Sequence, residues 1–121
     1  MANAEPTLDL VFHALADPTR RAVVARLTRG EATVSDLAAP FDMALPSFVQ
    51  HLRVLESSGL VDSRKVGRVR YCRLLPAPLD DARTWIGAQR VSWERRLDRL
   101  DRHLQSMTQE PPLTVPPKER K

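Results

Sequence analysis

Residues Thr33 to Gly59 read TVSDLAAPFDMALPSFVQHLRVLESSG, and the fold turns on how that stretch divides into helices. Thr33 is a residue type that caps helices, and Asp36 follows three residues on, near the electropositive end. Val34, Leu37, Ala38 and Phe41 then make one apolar side. Asp42-Met43-Ala44 is a short connection. From about Leu45 to Ser58 the spacing predicts a second helix, with Leu45, Phe48, Leu52 and Leu55 as its buried stripe. Pro46 is tolerated there because it falls in the first turn, and Gly59 ends the helix. Two helices across so short a joint form a helix-turn-helix.

The flanks extend this pattern. Upstream, Leu8, Val11, Phe12 and Leu15 have helical spacing, so Thr7–Leu15 reads as a short amphipathic helix. Asp17-Pro18 starts another that runs to about Arg29, with Val23, Val24 and Leu27 inward and Gly30 as its stop. Downstream the period changes to two. Leu60–Lys65 and Val69–Leu75 read as a β-hairpin around Val66-Gly67-Arg68. Pro76-Ala77-Pro78 then breaks the chain, and a last helix spans about Leu79 to Met107, roughly 40 Å at 1.5 Å per residue. Ile86, Trp93, Leu97, Leu100, Leu104 and Met107 form a heptad-like seam along it. A small domain covers only part of such a helix. The remaining stripe either meets the same helix of a second copy or folds back on the chain's own core. The expected fold is mainly α with a small β-hairpin wing, a winged helix-turn-helix in the order α-α-α-α-β-β-α. One domain is expected over residues 7–107.

Composition narrows the class. The 121 residues are one domain's worth. Four of the ten prolines fall among the last eleven residues, beside Lys118, Glu119, Arg120 and Lys121, so 108–121 reads as a disordered Pro-rich tail. No apolar run approaches the roughly 20 residues that span a bilayer, and Met1 to Pro6 shows no secretory signal. With Cys72 the single cysteine, a disulfide within one chain is impossible, which fits a cytoplasmic location. The net charge of +4 is concentrated. In residues 46–78, Arg53, Arg64, Lys65, Arg68, Arg70 and Arg73 face only Glu56 and Asp62. Such focused charge suits a phosphate backbone, although a solvated loop has the same composition.

With the buried stripe set aside, the second helix of the motif exposes Ser47, Val49, Gln50 and Arg53. Ser47 and Gln50 can hydrogen-bond base edges or phosphates, and Gln suits adenine. Arg53 can reach phosphate or guanine, and Val49 a thymine methyl. His51, at the edge of the stripe, can touch a phosphate, cap a helix or sit inside with a hydrogen-bond partner. In the hairpin, Arg64, Arg68 and Arg70 share even parity and Lys65 is assigned to the turn. A wing of this kind lies along the backbone or in the minor groove and adds affinity more than sequence choice. Arg20 and Arg21 open the second helix of the chain, as a phosphate contact or a surface ion pair.

Together these stretches resemble the ArsR-type (ArsR/SmtB) winged helix-turn-helix repressors over residues 7 to about 107. The resemblance rests on Ala14-Leu15-Ala16-Asp17-Pro18-Thr19-Arg20-Arg21, Thr33-Val34-Ser35-Asp36-Leu37-Ala38, His51-Leu52-Arg53-Val54-Leu55-Glu56, Ser58-Gly59-Leu60-Val61 and Gly67-Arg68-Val69-Arg70-Tyr71. It implies a homodimer joined through the first and last helices, with Leu8, Val11, Phe12, Ile86, Trp93, Leu97, Leu100 and Leu104 at the interface. It also implies that the fourth helix enters the major groove of an inverted-repeat operator. The chain departs from the family at Ala44, where Ser or Thr usually caps the recognition helix. It departs again at Ser47-Phe48-Val49-Gln50, where Ala-Val-Ser-Lys is frequent, so the resemblance does not carry over an operator sequence.

Many relatives sense metals through cysteines in the third helix or His and acidic residues in the last. Here the third helix has no cysteine, and the last offers only His103 with Asp98 and Asp101, too few ligands for a four-coordinate site. No metal or other cofactor is expected, and the sequence names no inducer. Cys72 is either a small strand residue or a thiol activated by Arg70 and Arg73. His13, His51 and His103 fall on separate helices without a partner spaced for a catalytic dyad, so no enzyme is expected. The remaining alternative is a winged helix used only for protein contacts, which has no use for five cations beside a capable recognition helix.

Overall fold

The computed structural model describes residues 4–108. Its elements are α1 (Ala4–Leu15), α2 (Pro18–Leu27), β1 (Ala32–Thr33), α3 (Val34–Ala38), α4 (Leu45–Ser57), β2 (Val61–Val66), β3 (Val69–Leu74) and α5 (Pro76–Thr108). The chain divides after Trp85 into two compact units. The proposed tail lies outside the described residues from 109 onward.

Local chemistry sets the helix boundaries. Asp17, in extended conformation, caps α2 by accepting the Arg20 amide at 2.9 Å, and Pro18 fills the first helical position. Thr33 caps α3 in the same way, its Oγ1 accepting the Asp36 amide at 3.0 Å. α4 has no side-chain cap, because Ala44 carries no acceptor. Gly59 ends α4 with φ +81°, and Gly67 begins the two-residue hairpin turn with φ +66°, both in the left-handed region that favours glycine. α5 begins at Pro76 rather than at Leu79. The prolines read as a break instead open the helix, since first-turn amides have no helical acceptor to lose.

The core of the first unit gathers Val11 and Ala14 of α1, Val23 and Leu27 of α2, Leu37 of α3, Phe48, Leu52 and Leu55 of α4, and Val61 and Cys72 of the sheet. Phe48 is fully buried and stacks on Phe41 with ring centroids 5.6 Å apart. Two expectations for α1 change. Leu8 and Val11, assigned to a dimer interface, point inward: Val11 is 0% exposed and has no surface left for a partner. The outer face of α1 instead shows Leu10 and Phe12, and Phe12 meets Trp85 edge-to-face at 5.9 Å.

The sheet has three antiparallel strands in the order β1-β3-β2. β1, unforeseen in the sequence, pairs Ala32 with Cys72 and Thr33 with Tyr71. The hairpin register matches Val66 with Val69, Lys65 with Arg70 and Arg64 with Tyr71. Lys65 is therefore a strand residue, not a turn residue. Parity also fails across the turn: opposed residues share a face, so Arg70 lies with Lys65, while Arg64 lies on the other face with Tyr71.

The second unit contains α5 from Ile86 onward. Ile86, Trp93, Leu97, Leu100, Leu104 and Met107 are all exposed. Arg90 and Glu94 pair at 3.1 Å across one helical turn.

Candidate nucleic-acid interface

α4 presents two faces. Phe48, Leu52 and Leu55 anchor it in the core. On the other side Ser47, Gln50 and Arg53 are exposed and Val49 is half-buried, as the sequence spacing predicts. Leu45 departs from expectation: it is 55% exposed. It lies four residues before Val49 and eight before Arg53, which puts it on their side, and with Pro46 and Gln50 they line one shallow hollow. That i, i+4 alignment was the available signal.

His51 does not share this face. Its Nδ1 lies 3.0 Å from a terminal nitrogen of Arg20, which donates to it, and 3.6 Å from the Asp17 carboxylate. Arg20 also donates through Nε to the Ala14 carbonyl at 2.8 Å and through its other terminal nitrogen to the His13 carbonyl at 3.1 Å. One side chain thus ties the end of α1 to α4 from the first turn of α2. Arg21 also turns back, donating to the Leu15 carbonyl at 2.8 Å. The Asp17 carboxyl is held below the usual range, chiefly by the Arg20 amide hydrogen bond, with partial desolvation opposing the shift.

The wing cations divide by face. Arg64 makes a two-pronged pair with Glu31 at 2.6 and 3.2 Å, and its guanidinium lies 5.5 Å from the centre of the Tyr71 ring. Arg73 pairs with Asp62 at 3.0 Å. Arg64, Tyr71, Asp62 and Arg73 share one face, so its charges are matched. On the face turned to α4, Arg70 donates to Ser63 Oγ at 3.1 Å, and Ser63 donates to a Glu56 carboxylate oxygen at 2.7 Å. This chain of hydrogen bonds ties the wing to the far end of α4. Lys65 and Arg68, with Arg53 on α4, carry no ion pair among the described residues.

Between α4 and the wing runs a cleft of about 630 Å³. Val34, Val49, Leu52 and Val69 line it together with Arg53, Glu56, Arg68 and Arg70. An exposed helix face next to an arginine-lined groove has the form and charge that accept a phosphate backbone on one side and base edges on the other. Cys72 takes no part. It is 0% exposed, and burial pushes its thiol up to about 11, with the Glu56 charge adding to the effect and Arg70 opposing it. Burial disfavours the thiolate more than the nearby Arg70 favours it, which supports the reading of Cys72 as a small strand residue. No group of three or more His, Cys, Asp or Glu arranged to hold a metal occurs among the described residues.

Comparison with known proteins agrees with this geometry. A helix-turn-helix domain family matches residues 15–64. The transcriptional repressor SdpR of Bacillus subtilis is 33% identical over 76 residues, which cover 63% of this chain and 84% of SdpR. The crystal structure of the ArsR family transcriptional regulator RHA00566 superposes with a TM-score of 0.73 at 52% identity, covering 78% of this chain and 97% of that one. The homodimeric winged helix-turn-helix DNA-binding domain Mb0332 of Mycobacterium bovis superposes with a TM-score of 0.56 at 28% identity, covering 88% of this chain and 93% of that one. The chain belongs to the ArsR-type family of winged helix-turn-helix transcriptional regulators.

Proposed function

We propose that this regulator is a cytoplasmic, metal-independent repressor that binds an inverted-repeat operator in double-stranded DNA as a homodimer. The observation that carries the reading is the juxtaposition of the Ser47, Val49, Gln50 and Arg53 face of α4 with a wing whose Lys65 and Arg68 have no internal counter-charge. α4 supplies the base contacts, Gln50 to adenine and Arg53 to guanine or phosphate. Lys65, Arg68 and Arg70 supply phosphate contacts, which set affinity rather than sequence choice. Arg64, whose charge is matched by Glu31, and His51, which bonds Arg20 away from the exposed face of α4, are assigned to positioning.

Residues 7–107 act as the DNA-binding and dimerisation domain. Dimerisation is supported by the exposed stripe Ile86, Trp93, Leu97, Leu100, Leu104 and by Phe12 and Leu10 on α1. An apolar stripe of that length on one helix wants a partner, and an identical helix is the simplest one. Mb0332 is a precedent for such a homodimer. Repression needs only occupancy, because a dimer on a promoter excludes polymerase, and it accords with the name of SdpR. No catalytic step is assigned. Metal independence is supported by the lack of cysteine in α3 and by the buried, high-pKa state of Cys72.

Sedimentation together with gel shift on the DNA upstream of the gene tests this. The expected result is a dimer that shifts DNA with a strong salt dependence and selects, from random pools, two half-sites about one helical turn apart. A monomer, or a dimer that ignores DNA at low salt, would refute the reading.

A further inference from the structure

We infer that Glu31 is an internal counter-charge that holds Arg64 out of the DNA interface, so that it limits how many phosphates each wing neutralises. The inference rests on the DNA-binding reading above. A guanidinium offers a planar fork that fits a carboxylate and a phosphate in the same way, and one whose charge is already matched by a carboxylate across both terminal nitrogens attracts a second anion less strongly. In this wing the Glu31 carboxylate holds both terminal nitrogens of Arg64, at 2.6 and 3.2 Å. The side chain runs across Tyr71 on the middle strand toward the residue preceding β1, and the 5.5 Å cation–π contact keeps it on that course.

Without Glu31, Arg64 is free to swing toward the tip of the wing, although its strand position faces away from α4. It precedes Lys65 on β2, and the pair Arg64 and Tyr71 lies only two ladder steps from the Val66 and Val69 pair that closes the hairpin. Stability gives little reason for the pairing. The two side chains are 56% and 38% exposed, and ion pairs so open to water add little to a fold. What the pairing changes is the charge the wing shows to a duplex. Lys65, Arg68 and Arg70 remain available, while Arg64 is answered from within. A regulator that must release DNA gains from such a limit, since each added phosphate contact tightens binding to every sequence alike.

The test measures DNA affinity against salt concentration for Glu31→Gln, Arg64→Gln and the double variant, each checked for an unchanged melting curve. Freeing Arg64 adds one phosphate contact per wing. The slope of log K against log salt for Glu31→Gln should therefore steepen by about 0.9 per wing, and affinity at about 0.15 M salt should rise about fivefold per wing, on operator and random DNA alike. Arg64→Gln alone should leave the wild-type slope unchanged, and the double variant should return to it. An unchanged or shallower slope in a folded Glu31→Gln protein overturns the inference. So does loss of slope in Arg64→Gln, which would mean that Arg64 already touches DNA. A gain that persists in the double variant also overturns it, by tracing the effect to net charge alone. Should Glu31→Gln not fold, the Arg64→Gln slope decides. Failure of the wild type to bind DNA at low salt would instead refute the functional reading, so the two failures are distinguishable.

Discussion

Replacing Arg20 by Ala removes a single side chain that bridges three helices. Its guanidinium makes hydrogen bonds to the Ala14 carbonyl at 2.8 Å, the His13 carbonyl at 3.1 Å and His51 Nδ1 at 3.0 Å. A hydrogen bond from a charged group contributes about 1.5–3 kcal/mol when well enclosed and less when wet. Two of these three are only partly buried and one is exposed, so the loss should total about 2–3 kcal/mol rather than the full sum. With a urea m-value of about 1.5 kcal/mol/M, the unfolding midpoint should fall by roughly 1.5 M. Arg20→Lys should land between the two, because an ammonium cannot serve carbonyls and imidazole as a fork does. Arg21→Ala is the control: it loses one exposed bond to the Leu15 carbonyl and should cost under about 1 kcal/mol. Urea melts of Arg20→Ala, His51→Ala and their double variant should also show a coupling of at least about 0.5 kcal/mol. A midpoint within 0.3 M (roughly the measurement error) of wild type, or equal losses for Arg20→Ala and Arg21→Ala, would refute the argument.

Three further outcomes follow from the same geometry. Arg68→Ala combined with Arg70→Ala should weaken binding to operator and random DNA equally and flatten the salt slope by about 1.8 per wing; loss of preference at one base position alone would contradict this assignment. Ala44→Ser supplies the acceptor that α4 lacks at its N-cap, where the backbone is already extended at φ −66° and ψ 148°, and should stabilise the protein by about 1 kcal/mol in thermal or urea melts. Cys72, fully buried with its thiol pushed up to about 11, should react with a thiol reagent at pH 8 only at the rate of unfolding. Because the folded-state pKa lies above the ordinary 9.0, the stability associated with the neutral thiol is complete below pH 9 and is lost as pH rises toward 11; Cys72→Ser should remove that part of the alkaline decline.

Much of this was legible in the chain because the signals are local. Thr33 and Asp17 cap the helices they precede, since a cap needs only an oxygen three residues from an unpaired amide. The core and exposed sides of α4 follow from 3.6-residue periodicity, apart from Leu45, whose place in the first turn leaves it clear of the packing that covers Phe48. Contacts between residues distant in the chain carry no such local signal. The partner of Arg64 lies 33 residues away, and nothing in the hairpin itself indicates Glu31. β1 spans two residues, too few to show a period. Parity assigned along the chain across a two-residue turn put Arg70 on the wrong face relative to Arg64, because register, not count, decides which side chains are neighbours. Val11 fits an outward seam by spacing alone, but its helix turns that side to α4 and the core.

The two-residue strand β1 has a consequence for how such a regulator changes its hold on DNA. It pairs only with Tyr71 and Cys72, so the ribbon is three strands wide at its root and two strands wide from Lys65 to Arg70. The root is stapled to the corner between α2 and α3, whereas the free end can grow. Residues inserted one per arm extend it by about 3.3 Å per added pair, and two per arm restore every side chain to its original side. Reach along a duplex is thus an adjustable dimension of this scaffold, independent of the helix proposed to read its bases.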